Sequence, residues 1–359
     1  MSRTFDFPGF VDVHVHFRDP GVPEAETAAS GARAARRGGF AAVVTMPNTN
    51  PAGDNVEWIR RQTEGDFPVK VIPAACITKG RLGREVADLE LLAEAGAAFF
   101  TDDGSYVSDD AVMEAAMARS ADLGMAVCDH ALVPSDGVLR DCALARRLSL
   151  PVIPASAEID AVARDISLCR VTGCRLHVQH ISTAGAVELV RSAQKEGLPV
   201  TAEATPHHLL FSCDDLAADD ANFKMAPPLG NHEDRAELRR AVKDGVLMFA
   251  TDHAPHPASA KNSGFLTSAN GIVGLECAIA VTYAVMVEEE GMDVEAWARA
   301  WWEMPRWIVA GSGRITGSTR IRVDAGNPRM IDVSAFASLS RNCPYHGMRF
   351  NCYPEEVER

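Results

Sequence analysis

The chain has 359 residues, of which 47% are apolar, a size and composition that suit one large α/β domain with a sizeable core. Its 35 basic and 49 acidic residues give a net charge of -14, which argues against nucleic acid or an anionic membrane as a partner. No window approaches 18 uninterrupted apolar residues, and residues 1–6 lack the regions of a signal peptide, so we expect a cytoplasmic protein.

The first predicted strand, residues 11–17, is a short apolar stretch that carries two imidazoles. Because side chains alternate along a strand, His14, His16 and Arg18 face the same way. Two imidazoles at this spacing can reach one cation, and the guanidinium beyond them can bind a carboxylate. A lone His-x-His is at least as often a buried, hydrogen-bonded pair, so the rest of the chain has to decide between these interpretations.

Helical and strand patterns then alternate along the chain. Helices are predicted over residues 24–37, 54–64, 85–95, 109–123, 159–172, 184–196 and 233–243, and strands over 40–46, 69–75, 97–101, 125–128, 175–179, 199–204 and 246–250. About eight strands separated by helices are typical of the α/β class and predict a (β/α)8 TIM-type barrel, with residues 274–290 and 294–309 closing the helical ring. We predict a barrel over residues 1–310 and an irregular C-terminal segment, 311–359, packed on it. The nine scattered cysteines include no Cys-x-x-Cys, which predicts buried, reduced thiols.

Polar side chains collect where the predicted strands end, which is where barrel enzymes carry their catalytic groups. These residues are His14, His16, Asp102, Asp103, His130, His180, His207, His208, Asp252, His253 and His256. Imidazole and carboxylate ligands without thiolate suit zinc, with manganese or cobalt as substitutes. Four histidines and two aspartates are enough for two ions that share a bridging carboxylate. Since a metal lowers the pKa of its water to about 7, the chemistry predicted is hydrolysis of an amide or its reverse.

Seven motifs resemble those of the dihydroorotases in the amidohydrolase superfamily, over about residues 9–348. They are DVHVHFRDPG at 12–21, TMPNTNP at 45–51, TDDG at 101–104, HIST at 180–183, TAEATPHH at 201–208, NFKMAPPL at 222–229 and ATDHAPH at 250–256. The His-x-His alone occurs across the superfamily, whereas HxHxRxPG followed by MPNT is typical of dihydroorotases.

The resemblance implies a ligand set, a reaction and a pathway. His14, His16 and Asp252 would hold one zinc ion, His130 and His180 the other, and Asp103 would bridge, so one or two ions per chain are expected. Arg18, Asn48 and His256 would grip the carboxylate and ring of the substrate. Asp252 would move the proton from the attacking hydroxide to the departing ring nitrogen. The implied reaction is the reversible cyclisation of N-carbamoyl-L-aspartate to L-dihydroorotate in de novo pyrimidine biosynthesis.

Supporting roles, such as orienting a ligand or capping a loop, are assigned to the remaining polar residues at the strand ends. These are Asp102, His207, His208 and His253. We expect a homo-oligomer that acts on a small molecule, and an association with aspartate carbamoyltransferase stays open.

Three departures from the family pattern keep alternatives open. Ala226 stands where relatives carry Asn or Arg, Gly230 stands where many carry Arg, and residues 131–134 replace an acidic or amide-bearing stretch. The β-sandwich that many relatives build from both termini is expected to be reduced or absent. One alternative is another cyclic amidase of the hydantoinase or allantoinase type, although Arg18 favours a carboxylated substrate. The other is an inactive dihydroorotase-like subunit that scaffolds aspartate carbamoyltransferase, which the full ligand set disfavours.

Overall fold

Parallel strands alternating with helices form the body of the chain in the computed structural model, which describes residues 4–309, 315 and 320–358. The strands are β1 (Thr4–Pro8), β2 (Phe10–Val15), β3 (Phe40–Thr45), β4 (Lys70–Pro73), β5 (Ala126–Asp129), β6 (Arg175–Val178), β7 (Val200–Ala204), β8 (Met248–Phe249), β9 (Arg320–Asp324), β10 (Arg329–Met330), β11 (Arg349–Phe350) and β12 (Tyr353–Glu358). The α/β class predicted from the sequence is confirmed.

The helices lie between these strands. They are α1 (Ala28–Arg37), α2 (Val56–Thr63), α3 (Leu89–Ala95), α4 (Asp110–Asp122), α5 (Ala143–Leu148), α6 (Ser156–Thr172), α7 (Ala184–Lys195), α8 (Pro206–Leu210), α9 (His232–Lys243), α10 (Gly264–Thr267), α11 (Ala278–Thr282) and α12 (Val294–Ile308). Helix α11 continues as a π-helical stretch, Tyr283–Glu289. No helix within the described ranges is long and apolar enough to cross a membrane.

Two parallel sheets, β2-β3-β4 and β5-β6-β7-β8, are connected at both of their edges by single-residue bridges. Phe100 pairs with Ala75, just after β4, and with Val127 of β5. At the other edge Val15 of β2 pairs with His253, and the backbone N–H of His16 donates to the His253 carbonyl at 2.8 Å. The carboxyl ends of β2 and β8 therefore lie side by side.

Two predicted elements differ from the structure near their functional ends. The fourth strand, expected over residues 97–101, is reduced to the bridges at Phe100, because Asp102 turns away to cap the 77–78 loop. Helix α1 begins at Ala28 rather than at residue 24, because Thr27 and Ser30 form a capping box. Glu26, just before this cap, is fully buried, accepts a hydrogen bond from the Ser30 hydroxyl and contacts the His253 ring at 3.3 Å.

The C-terminal segment is not irregular throughout, which corrects the sequence interpretation. Strand β9 pairs antiparallel with β1 on one side and with β12 on the other, so the two ends of the chain share a three-stranded sheet. Strands β10 and β11 form a second, two-stranded pair. The predicted domain boundary at residues 310 and 311 lies outside the described residues.

Large aromatic side chains fix the end of the sheet opposite the polar strand ends. The Trp301 ring of α12 lies 5.4 Å from Phe40 and 5.0 Å from Phe249, centroid to centroid, and Trp297 lies 5.6 Å from Phe10. Burying one such side chain contributes about 1.5–3 kcal/mol. All nine cysteines are buried and free in the described part of the chain, as predicted.

Candidate active site

A buried carboxyl aligns the ends of β2 and β8. Asp12 accepts hydrogen bonds from the backbone N–H groups of His14 and Thr251, both at 3.1 Å, and from the Thr251 hydroxyl. Burial raises the pKa of Asp12 to about 7, although these hydrogen bonds lower it. Because Asp252 follows Thr251, the arrangement sets the carboxylate of Asp252 beside the imidazoles of β2.

All six residues predicted as metal ligands come together in one buried cluster, which we call the imidazole–carboxylate centre. The distances from Asp103 Oδ1 are 3.2 Å to His14 Nε2, 3.5 Å to His180 Nε2 and 3.6 Å to His130 Nδ1. His16 Nε2 lies 3.3 Å from Asp103 Oδ2 and 3.0 Å from Asp252 Oδ1. The Asp103 carboxylate thus contacts all four imidazoles.

Negative charge dominates this centre. Burial alone lowers the pKa of His14, yet the charges of Asp103, Glu203 and Asp252 raise it well above its ordinary value. In turn, burial raises the pKa of Asp103, but the charge of His14 and the close contacts of His130, His14 and His180 hold it well below its usual range. Carboxylates that keep a proton on a buried imidazole supply the charge that a bound cation needs.

The donor set fits a metal ion. His14 Nε2 and Asp103 Oδ1 are buried and lie 3.2 Å apart, yet neither atom makes a hydrogen bond of good geometry among the residues that the structure describes. Such orphaned polar atoms are costly and call for an explanation, and a cation between them provides one. Two groups of ligand atoms lie within 4.8 Å of one another: His14 with Asp103 and His180, and His14 with His16 and Asp252. Two neighbouring positions for a divalent ion are therefore available.

Glu203 of β7 orients the ring of His14 from behind. Its Oε1 accepts from His14 Nδ1 at 2.6 Å, and its Oε2 lies 2.9 Å from His177 Nε2. Burial alone raises the pKa of Glu203, but the charge of His14 and hydrogen bonds from His14 and His177 lower it to about 2. A carboxylate in this position fixes the imidazole tautomer, so that Nε2 faces the metal positions. Sequence analysis missed both Glu203 and His177, because they lie inside strands rather than at their ends.

The neighbouring carboxylates Asp102 and Asp103 have separate surroundings, as expected from their positions in the TDDG motif. Asp102 accepts from the backbone N–H groups of Ile77 at 2.9 Å and Thr78 at 3.1 Å, so it caps that loop. Arg81 Nη2 donates to the Asp103 carbonyl at 2.7 Å. These contacts hold the loop and leave the Asp103 side chain to the imidazoles.

The three histidines predicted to have supporting roles are His207, His208 and His253, and all three are buried. His253 Nε2 contacts Glu26 at 3.3 Å, and the His208 ring is held by the Thr205 hydroxyl at 2.8 Å. His207 Nε2 is buried and finds no hydrogen-bond partner in the described ranges, and burial lowers the pKa of this ring to about 3. Their contacts agree with supporting roles.

A cavity of about 210 Å³ opens onto this centre. It is lined by His16, Arg18, Asn48, Asp103, Gly104, His130, His180, Ala226, Asp252, Ala254, His256, Asn270 and Gly271. All three residues predicted to bind substrate lie on it. Arg18 Nε donates to the Pro255 carbonyl at 3.2 Å, and burial lowers the pKa of Arg18 to about 10. Its Nη2 lies 3.5 Å from His256 Nε2, and both residues line the cavity.

Two of these residues also hold other groups in place. The Asn48 amide oxygen lies 2.8 Å from His16 Nδ1, and its nitrogen donates to Asp103 Oδ2 at 3.4 Å. His256 Nε2 donates to the Asn270 carbonyl at 2.7 Å. Asn48 therefore orients two groups of the centre, a function that the sequence did not indicate. Arg18 is the arginine that lines the cavity.

Comparisons with known proteins agree with this geometry. The family model described as Dihydro-orotase-like matches residues 5–186. The dihydroorotase of Geobacillus thermodenitrificans (strain NG80-2) is 40% identical, with 97% of this chain and 84% of that protein covered. The dihydroorotase of Bacillus caldolyticus is 39% identical, with 95% and 82% covered. The solved structure of L-hydantoinase (dihydropyrimidinase) from Arthrobacter aurescens is similar with a TM-score of 0.86 at 22% identity, and covers 99% of this chain and 84% of its own.

The structural likeness shows the fold. The matches in sequence define the class: the protein is a cyclic amide hydrolase. The matches in sequence also identify the family within that class. The chain belongs to the dihydroorotase family, which confirms the resemblance that the motifs indicated.

Proposed function

We propose that the protein is a metal-dependent dihydroorotase that interconverts N-carbamoyl-L-aspartate and L-dihydroorotate. Membership of the dihydroorotase family supports the activity, and one observation supports the substrate. Arg18 lies on the same cavity as the imidazole–carboxylate centre, so a ring amide can face that centre while its carboxylate pairs with the guanidinium. The (β/α)8 barrel, closed by the bridges at Phe100 and His253, is part of this proposal.

We further propose two zinc positions. One ion would be held by His14, His16 and Asp252, and the other by His130 and His180. Asp103 would contribute to both positions. Zinc suits imidazole and carboxylate ligands without thiolate. When bound, it polarises a carbonyl group and provides a nucleophilic water at neutral pH.

The chain's own groups supply binding and proton transfer. The charges of His14 and His16 and a hydrogen bond from His16 hold the pKa of Asp252 below its usual range despite burial, so this carboxylate is ionised at neutral pH. It can accept a proton at the cavity wall and pass it to the ring nitrogen when the amide bond breaks. Arg18 fixes the carboxylate end of the ring, which presents the amide to the imidazole–carboxylate centre.

A substrate panel tests the function against a second candidate. The fold is shared with hydantoinases, so hydrolysis of an uncharged cyclic amide is the alternative. We expect turnover of L-dihydroorotate and of N-carbamoyl-L-aspartate, with hydantoin and allantoin at least about 100-fold slower, because a site built around a charged group rejects analogues without its partner. Preferred turnover of hydantoin would contradict the proposal. The cytoplasmic location, the homo-oligomer and the association with aspartate carbamoyltransferase stay predictions.

The Arg18→Ala variant should mainly weaken substrate binding. Loss of a charge-assisted hydrogen bond costs about 1.5–3 kcal/mol, which corresponds to a rise in KM for L-dihydroorotate of about 10- to 100-fold with a smaller change in kcat. Arg61→Ala is the control, because Arg61 pairs with Asp19 at 3.0 Å on the surface. If KM stayed at the wild-type value in Arg18→Ala, the carboxylate would have to bind elsewhere.

A further inference from the structure

One wall of the active-site cavity is a long loop that follows β8. Within residues 254–272 it contains the short helix α10, and four of its residues line the cavity: Ala254, His256, Asn270 and Gly271. Gly271 has φ +129, and a Cβ built on it would lie 2.7 Å from the Ala254 Cβ. The loop therefore closes on itself at Gly271, where the same Cβ would also lie 3.1 Å from His256 Nε2.

The ammonium group of Lys261 connects the backbone segments that meet at Gly271. Lys261 Nζ donates to three backbone carbonyls, those of Gly271 at 2.8 Å, Ala269 at 2.9 Å and Lys224 at 3.1 Å. The Lys224 carbonyl also accepts from the Gly271 N–H at 3.0 Å. Lys261 thus ties the later end of its own loop to the segment that precedes Ala226, and residues of both segments line the cavity.

The surroundings of Lys261 disfavour its charged form, and the three carbonyl contacts offset this cost. Burial and the charge of Lys224 lower the pKa of Lys261 to about 7, while the charge of Asp220 raises it. An ammonium kept here uses all three of its donors on backbone oxygens. Among the described residues, the hydrogen bonds of Lys261 go to these backbone carbonyls and not to the imidazole–carboxylate centre, so its effect on that centre has to pass through the loop.

We propose that Lys261 is a positioning residue for the substrate-facing wall. It fixes the carbonyls of Ala269 and Gly271, and so places the intervening Asn270 carbonyl that accepts from the His256 ring at 2.7 Å. The inference rests on the proposed function, since it assigns the His256 wall to substrate binding. A loosened wall lowers the affinity for the ring and leaves the imidazole–carboxylate centre intact.

Steady-state kinetics of Lys261→Met test this role. We expect KM for L-dihydroorotate to rise about tenfold and kcat to change less than about threefold. Lys261→Gln, which keeps an amide donor, should lie between Lys261→Met and wild type, and it also serves if Lys261→Met does not fold. Lys243→Met is the control, because Lys243 also donates to a backbone carbonyl, that of Glu290 at 2.5 Å, but at an exposed site. An unchanged KM in both Lys261 variants, or an equal rise in the control, would overturn the proposal.

Hydrogen exchange separates this inference from the proposed function. Amides of residues 262–272 should exchange faster in Lys261→Met than in wild type, and those of β2 and β8 should not change. If the wild-type protein failed to turn over L-dihydroorotate, the proposed function would be wrong. The exchange comparison would still show whether Lys261 holds the loop in place. Unchanged exchange across residues 262–272 would show that Lys261 does not hold this loop in place, whatever the substrate is.

Discussion

The Asp252→Asn variant is expected to lose turnover of L-dihydroorotate by about 10²- to 10⁴-fold while it keeps its fold. Asp252 Oδ1 lies 3.0 Å from His16 Nε2, and its low pKa makes it the ionised group available for proton transfer. An amide of the same shape cannot accept that proton. The backbone at Asp252 has φ 46, a left-handed conformation that Asn tolerates well, so the substitution does not strain the chain.

The measurement is kcat at saturating substrate, with circular dichroism and the thermal midpoint as checks on the fold. Asp244→Asn is the matched control, because Asp244 pairs with Arg191 at 3.0 Å on the surface. Its kcat should equal that of wild type. Near-normal turnover by Asp252→Asn would refute the role given to this carboxylate.

The Asp103→Ala variant should lose both metal and turnover. The Asp103 carboxylate is the shared partner of His14, His16, His130 and His180, so its removal leaves four buried imidazoles without a common anion. Removing a group that only orients a metal ligand typically costs 10- to 100-fold in affinity, and loss of a proposed direct ligand should cost more. The measurements are the metal content per chain after dialysis and the turnover of L-dihydroorotate.

The Asp102→Ala variant is the matched control for Asp103→Ala, because it removes the neighbouring carboxylate. Asp102→Ala removes the cap from the backbone N–H groups of Ile77 and Thr78, which should cost about 1–3 kcal/mol of stability and lower the thermal midpoint. Its metal content should remain that of wild type. If Asp103→Ala retained its metal while Asp102→Ala lost it, the two assignments would have to be exchanged.

Residues at the strand ends could be located from the sequence because two simple rules agree there. Alternation along the predicted strand, residues 11–17, places His14, His16 and Arg18 on one side, and parallel strands bring their carboxyl ends to one edge. Strand β2 itself ends at Val15, and Arg18 has φ 55, so Arg18 reaches the cavity from beyond the strand and not by alternation. Which of Asp102 and Asp103 faces the centre came from the family motif, since residue type alone does not distinguish them. The structure separates them through the loop contacts of Asp102.

Residues within strands could not be assigned in this way. Glu203 lies in a short strand, where alternation cannot separate two buried faces, and its partner His14 is 189 positions away in the chain. The pairing of β1 with β9 joins Thr4 to Asp324, and no local pattern reports a contact over such a separation. Strand β9 reads RIRVD, a polar and apolar alternation that also occurs in exposed loops.

The most direct test of the account is the metal content of the purified protein, followed by removal and return of the metal. We predict one or two zinc ions per chain, loss of L-dihydroorotate turnover after chelation, and recovery when zinc is added to the same sample. Full turnover by protein shown to contain no metal would contradict the account, because the imidazole–carboxylate centre would then have no part in the reaction.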